Sequence, residues 1–278
     1  ALAAGLAVAG AAWADMPVDG GVDLQPAATP IMEEIHAFHN FILPIIFGVS
    51  IFVLVLLVWV IVRYNRRANP TPRRFTHNML VEVIWTVVPV LILVAIAWRS
   101  FPLLFHEERV PPSEITIKVT GNSWFWQYEY EGMGVNVTSL LLPQAEAQAQ
   151  GRPWLLAVDN PIYVPTHANV RLLITSNDVI HSWAMPSFGV KADAIQGRVH
   201  DTWFNVEREG VFYGQCSELC GIDHAYMPIE VRAVSRAAFN QWVAAQGGTL
   251  ASAAPANPGA PAAPAAAPAA APGHTPAR

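Results

Sequence analysis

From Phe41 to Val62 the chain reads FILPIIFGVSIFVLVLLVWVIV, 22 residues without a charge. A helix of that length covers about 33 Å at ~1.5 Å per residue, enough for the ~30 Å hydrocarbon core of a bilayer. A second apolar stretch, LVEVIWTVVPVLILVAIAWRSFPLLF, occupies 80–105. Its uncharged part, Val83 to Trp98, has only 16 residues, so Glu82 and Arg99 are expected at the two membrane faces. Pro89 lies inside this stretch, where neighbouring helices can accommodate the bend. The pattern predicts a two-helix transmembrane hairpin over 38–106, with spans at about 38–64 and 80–105.

Beyond the hairpin the apolar period shortens. ITIKVTG (115–121), WFWQYEYE (124–131), VRLLITS (170–176), TWFNV (202–206), GVFYGQC (210–216) and MPIEVRAV (227–234) are short runs bounded by Gly, Pro, Asn and Asp. A helical pattern follows only at 235–246. Short strands at this spacing predict an all-β sandwich or barrel over 107–246. At the N-terminus, ALAAGLAVAGAAWA (1–14) reads as a signal-peptide remnant ending in an A-x-A pattern, with cleavage expected before Asp15. Residues 15–37 then form an outer N-terminal segment. At the other end, 247–278 reads as a disordered Pro/Ala-rich tail, with 7 Pro among the 28 residues from 251. No core can be buried there, and the lack of a C-x-x-C-H argues against a covalently attached haem module.

Charge orients these parts. The loop 63–79 carries Arg63, Arg66, Arg67, Arg73 and Arg74 and no acid, which by the positive-inside rule places it in the cytoplasm. Both termini and the β-domain are then expected outside. Asp15, Asp19, Asp23, Glu33 and Glu34, with no Lys or Arg among them, agree. From 107 to 245 there are fifteen Asp and Glu against nine Lys and Arg, the wrong sign for a nucleic-acid footprint. Such a balance serves solubility, or steering of a basic partner.

Only two cysteines occur, Cys216 and Cys220, within GQCSELCGIDHAYM, where His224 and Met227 follow. A disulfide suits an exported domain. Zinc favours tighter cysteine pairs and has little use for methionine. Thiolate, imidazole and thioether together suit an electron-transfer copper. The second imidazole is expected from His181 in NDVIHSWAMPSFGV, which the turn residues Asn177 and Asp178 and the following Pro186 put in a loop, although a lone histidine is often structural. Two thiolates with two imidazoles exceed one blue copper and suit two coppers sharing both sulfurs. Met227 would cap one metal, and a backbone carbonyl from Ser217–Leu219 the other.

GQCSELCGIDHAYMPIEV, with IHSWAMPSFGVKADAIQGR upstream and the two spans, closely resembles subunit II of the bacterial haem–copper cytochrome c oxidases of aa3 type. The resemblance covers residues 30–246. It implies a cupredoxin-like β-domain whose dinuclear copper A centre is held by His181, Cys216, Cys220, His224 and Met227, with the Glu218 carbonyl. It further implies that the Glu218 carboxylate reaches a magnesium ion shared with subunit I. Trp124 in GNSWFWQYEY would receive electrons from cytochrome c, although Asn122 and Ser123 stand where the family usually carries His-Gln. Glu129, Asp159 and Asp178 would help dock that donor, and Glu82 in THNMLVEVIWT would open a proton path into subunit I. The implied role is to pass electrons from cytochrome c to haem in subunit I, where oxygen is reduced to water and protons are pumped. The chain would sit in the cell inner membrane with the copper domain in the periplasm. The rival readings are a quinol oxidase subunit II lacking copper ligands, a membrane-anchored copper-delivery or copper-storage protein, and a scaffold sandwich with a Cys216–Cys220 disulfide. Filled ligand positions disfavour the first, and only 6 scattered methionines disfavour the second.

Overall fold

The computed structural model describes residues 14–71 and 75–250. The expected signal remnant up to residue 13, Arg73 and Arg74 of the basic loop, and the Pro/Ala-rich stretch from 251 lie outside the described residues. Strand β1 (Ala14–Asp15) precedes helices α1 (Pro30–Arg63) and α2 (Met79–Glu108). The β-domain follows as β2 (Ile115–Asn122), β3 (Phe125–Tyr130), β4 (Val135–Ser139), α3 (Gln144–Ala149), β5 (Ile162–Pro165) and β6 (Asn169–Ser176). It continues through β7 (His181–Met185), β8 (Val190–Ala194), β9 (His200–Asn205), β10 (Gly210–Cys216), β11 (Pro228–Val234) and α4 (Arg236–Ala245).

Helix α1 starts well before the apolar run because its local chemistry permits it. The Thr29 hydroxyl accepts the Met32 N–H at 3.1 Å, and Pro30 takes the first helical position, where a missing N–H costs nothing. Helix α2 opens similarly. Asn78 Oδ1 accepts the Val81 N–H at 3.2 Å, and Glu82 accepts the Asn78 N–H at 3.1 Å. The two helices touch where the start of α1 meets the end of α2: His106 Nδ1 meets Glu34 at 3.1 Å, and Arg99 lies over the Phe41 ring at 5.3 Å. Within α1 only Ile31 and Met32 are buried, and within α2 no residue is.

The β-domain stacks two sheets, in the cupredoxin-like sandwich that the resemblance implied. One has the order β5-β11-β10-β7-β8, with β1 pairing on β10; the other runs β4-β3-β2-β6-β9. Strands β2 and β6 pair in parallel, from Ile115 opposite Val170 to Gly121 opposite Ser176. Alternation carries much of this fold. In β6 every second residue, Val170, Leu172, Ile174 and Ser176, is buried, so one face meets the core and the other solvent. Trp126, Trp183, Phe188, Phe204 and Phe212 fill the space between the sheets.

The membrane hairpin is fastened to the sandwich at the turn 186–189. Ala28 N–H donates to the Ser187 carbonyl at 2.9 Å, and Thr29 Oγ1 donates to the Phe188 carbonyl at 2.8 Å. Gly189 has φ +71°, a conformation that favours glycine, and it packs against α1, where a Cβ would come within 2.7 Å of Ile35 Cδ1 and push that side chain's end aside. From this turn β7 runs back to His181. At ~3.4 Å per residue its five residues carry the histidine roughly 14 Å from the docking point.

Candidate metal centre

Strands β7 and β10 are antiparallel neighbours, with Gln215 opposite Ala184 and Cys216 opposite Trp183. Gly214 makes that pairing possible, since a Cβ there would stand 2.0 Å from the Ala184 carbonyl oxygen. His181 therefore begins β7 where Cys216 ends β10. The chain then loops through 217–227, and Cys216 N–H donates to the Met227 carbonyl at 3.0 Å. That bond returns Met227, itself buried, to the start of its own loop.

Four donor side chains converge. His181, Cys216 and Cys220 present ligand atoms all within 4.8 Å of one another. His181 Nδ1 lies 3.9 Å from Cys216 Sγ, the two sulfurs are 3.8 Å apart, and His224 Nδ1 is 3.5 Å from Cys220 Sγ. Both thiols are free and buried, so the disulfide alternative is not the arrangement formed. The Glu218 carbonyl lies 3.4 Å from Cys216 Sγ, inside the same cluster, while its side chain is exposed.

His181 departs from its expected place. It is the first residue of β7 rather than a loop residue, and it is fully buried. The turn signals at Asn177 and Asp178 are real but are spent before His181, which pairs with Ala194 of β8. Its ring lies against Gly121 of β2, where a Cβ would stand 2.8 Å from His181 Cδ2. The Trp126 ring meets it edge-on at 5.9 Å. Trp124 lies in the turn before β3 rather than on the strand that carries Trp126, and it is half-buried where Trp126 is fully buried. The Trp124 indole Nε1–H donates to the Cys220 carbonyl at 3.1 Å. Gly221, with φ +124°, lies beneath that ring; a Cβ there would approach Trp124 Cζ2 to 3.0 Å.

The cluster shapes its own ionisation. Burial pushes the Cys216 thiol up, but hydrogen bonding from His181 and nearby backbone outweighs this and brings it down to about 6. Burial, then the adjacent Cys216 sulfur, pushes Cys220 up to about 12. One negative charge is thus easily placed on the pair, and the second is resisted. Burial opposes charge on His181, but its hydrogen bonds to Cys216 and Asp178 prevail and raise it.

Residues 115–234 match the family profile described as cytochrome C oxidase subunit II, periplasmic domain, and residues 17–103 match the corresponding transmembrane domain. The chain belongs to the cytochrome c oxidase subunit II family. It is 46% identical over 234 residues to the probable cytochrome c oxidase subunit 2 of Rickettsia bellii, covering 84% of this chain and 87% of that protein. It is 43% identical over 284 residues to cytochrome c oxidase subunit 2 of Cereibacter sphaeroides, covering 92% and 94%. The crystal structure of the periplasmic domain of subunit II of cytochrome oxidase from Bradyrhizobium japonicum aligns with a TM-score of 0.47 at 46% identity, over 50% of this chain and 97% of that one.

As a subunit II the chain has two apolar helices that fit a two-pass membrane protein. The donor set also fits the copper of such a subunit. A thiolate–metal bond of ~2.3 Å lets one ion bond both sulfurs across their gap, and soft sulfur with imidazole selects copper over hard cations. The remaining expected residues are dispersed. Glu82 is half-buried in the first turn of α2, where it caps the helix. Glu129 is exposed on β3 with Lys118 Nζ at 3.9 Å, and Asp159 Oδ1 accepts the Leu140 N–H at 2.8 Å. Asp178 is instead bound into the site, its Oδ1 2.8 Å from His181 Nε2. Burial pushes its carboxyl up, but hydrogen bonds from His181 and Ser123 prevail and hold it well below the usual carboxylate range. Sequence reasoning missed this contact, although an acid three residues before a candidate ligand was its visible sign.

Proposed function

We propose that this subunit II accepts electrons from reduced cytochrome c at a dinuclear copper A centre and delivers them to haem in subunit I, where oxygen is reduced to water with proton pumping. The observation that carries this reading is the approach of two free thiols to 3.8 Å, flanked by one imidazole nitrogen each. Two coppers bound there would supply a one-electron relay whose charge is shared between them, limiting geometric change at each.

The chain's own residues prepare that relay. Cys216 and Cys220 would hold the metal through their sulfurs, His181 and His224 through ring nitrogens, and Met227 and the Glu218 carbonyl would complete the donor set. Met227, His181 and both cysteines are buried, which keeps water from the ligands and stiffens them. Trp124 bridges the outer surface and the loop through its bond to the Cys220 carbonyl, which suits it to pass electrons inward from a docked donor. Glu129, Asp159 and Asp178 contribute to an acidic field that attracts a basic cytochrome c. The exposed Glu218 carboxylate can serve a magnesium ion shared with subunit I, as an oxygen ligand for a hard cation. Glu82 stands at the cytoplasmic end of α2, an ionisable group at the edge of a membrane helix and a candidate doorway for protons. The orientation that follows is periplasmic for the β-domain and both termini, in the cell inner membrane.

Metal analysis of the purified full-length chain, with EPR and near-infrared spectra, tests the proposal. Two coppers with mixed-valence hyperfine structure are expected. A single blue copper, or none in freshly prepared oxidase, overturns it.

A further inference from the structure

Where α2 gives way to the β-domain, Phe105, Glu108, Arg109, Pro111 and Trp203 border a groove of about 830 Å³. Folded elements set both of its walls. The His106 ring packs against Trp203 of β9 at 5.6 Å, and Glu34 of α1 meets His106 Nδ1 at 3.1 Å. The Asn169 side-chain amide donates to the Pro112 carbonyl at 3.1 Å, which fixes the chain as it leaves the helix. Helix geometry sets the depth. Crossing the hydrocarbon takes about 20 residues at ~1.5 Å each, so a span that begins at Val83 ends near Pro102, with Arg99 in snorkelling reach of that edge. Glu108 and Arg109 stand roughly 10 Å further on, at the outer boundary of a headgroup layer some 5–8 Å deep. Helical side chains lean toward the N-terminus, which here means back toward the bilayer. Trp98, Phe101 and Phe105 recur at steps of three and four residues and are all more than half exposed. They form one apolar face that leads along α2 to Glu108 and Arg109.

Charge narrows what the groove can hold. Neighbouring ion pairs join His106 to Glu34, Arg171 to Asp201 and Lys191 to Asp193. Glu108 and Arg109 have no ion-pair partner among the described residues, although both border the groove. We propose that this groove binds a zwitterionic phospholipid with a primary ammonium headgroup, of the phosphatidylethanolamine type. Arg109 meets its phosphate, Glu108 meets its ammonium, and Phe105, Phe101 and Trp98 line the acyl chain beneath. An anionic lipid fits less well. Such lipids are held by clusters of Lys and Arg, whereas here Glu107 and Glu108 stand directly before a single arginine. The inference depends on the hairpin and its junction with the β-domain, and not on the metal centre.

The test uses the purified oxidase in bilayer nanodiscs doped with a phosphatidylethanolamine that carries a photoreactive diazirine at the glycerol end of one acyl chain. After illumination, labelled peptides are mapped by mass spectrometry. Unlabelled phosphatidylethanolamine, phosphatidylcholine and phosphatidylglycerol serve as competitors. Labelling is expected within 101–112. Phosphatidylethanolamine should compete about 3- to 10-fold better than phosphatidylcholine, whose quaternary ammonium donates no hydrogen bond to a carboxylate. Phosphatidylglycerol should compete no better than phosphatidylcholine. Glu108→Gln should erase the preference for phosphatidylethanolamine, and Arg109→Gln should lower labelling of 101–112 by about 3- to 10-fold. Labelling within 45–60 of α1, a reference for bulk lipid, should be equal in all three proteins. Both substituted residues are exposed, so neither change threatens the fold, and the competition series on the parent needs no variant. The proposal is overturned if both variants label as the parent does, or if phosphatidylglycerol is the best competitor. It is equally overturned if 101–112 stays unlabelled in the parent, which would mean that another subunit covers the groove.

Discussion

Helix α1 is 34 residues long and buries only Ile31 and Met32, whereas β7 is five residues long and buries all five. The two regions solve opposite problems. The hairpin satisfies its backbone within each helix and leaves its side chains for lipid and partner helices to cover. The sandwich satisfies its backbone between strands distant in sequence and covers its own side chains. Chemistry that needs several donors fixed to within fractions of an ångström therefore belongs to the second region. The hairpin's contribution is to hold that region at a set distance from the bilayer, through the docked turn at 186–189.

The strongest way to break this contrast is to remove a bridging sulfur. Cys216→Ser should abolish the mixed-valence EPR signal and reduce copper to below about one ion per chain, while circular dichroism shows both regions folded. Next comes backbone space. Gly214→Ala drives a methyl into the Ala184 carbonyl and should destabilise the sandwich by about 1–3 kcal/mol in denaturant melts, with copper retention falling too. Its counterpart Gly48→Ala, in α1 where nothing lies within 4 Å, should cost nothing and stabilise the helix by up to about 1 kcal/mol. Equal effects at the two glycines would dissolve the distinction.

Proton linkage offers a finer measure. At neutral pH Cys216, brought down to about 6, has given up its proton, while Cys220, held up to about 12, has not. Metal uptake must then displace at least the Cys220 proton, together with whatever proton His181 holds through its raised affinity, so affinity rises with pH, by at least ~10-fold per unit from 7 to 9. It should fall more steeply once the pH drops below the Cys216 value, where a further proton must leave. Competition titrations of the metal-free chain check the slope, and a flat profile would mean both thiols ionise freely. The smallest effect is expected at the rim. Glu129→Gln with Asp159→Asn should slow association of cytochrome c by less than ~10-fold at low salt and leave it unchanged near physiological ionic strength. Stopped-flow rates across a salt series would show this.

The legibility of the sequence follows the same division. Runs that alternate, such as VRLLITS in β6, could be read as strands because one face is wet. Strand β4, with Val135, Val137 and Ser139 buried in alternation, carries the same signal in a shorter run, VNVTS. Strand β7 could not be read this way: HSWAM is buried on both faces and has no period, and turn residues precede it. Helix α1 begins at Pro30 because of the Thr29 cap, a signal distinct from the hydropathy that marked the span. Among site residues, the Cys216–Met227 spacing was readable because its members are close in sequence. The engagement of Asp178 with His181 and Ser123 was not, since Ser123 lies in the β2–β3 turn, 55 residues away in sequence.

By itself, the sequence determined two membrane-length apolar helices, a β-domain and a compact set of soft donors, because each is written in local composition and spacing. Tertiary structure alone decided which imidazole nitrogen faces the sulfurs, which acid holds it there and which tryptophan touches the loop. Those choices depend on strands from two sheets meeting at one end of the sandwich, a juxtaposition that no local pattern encodes.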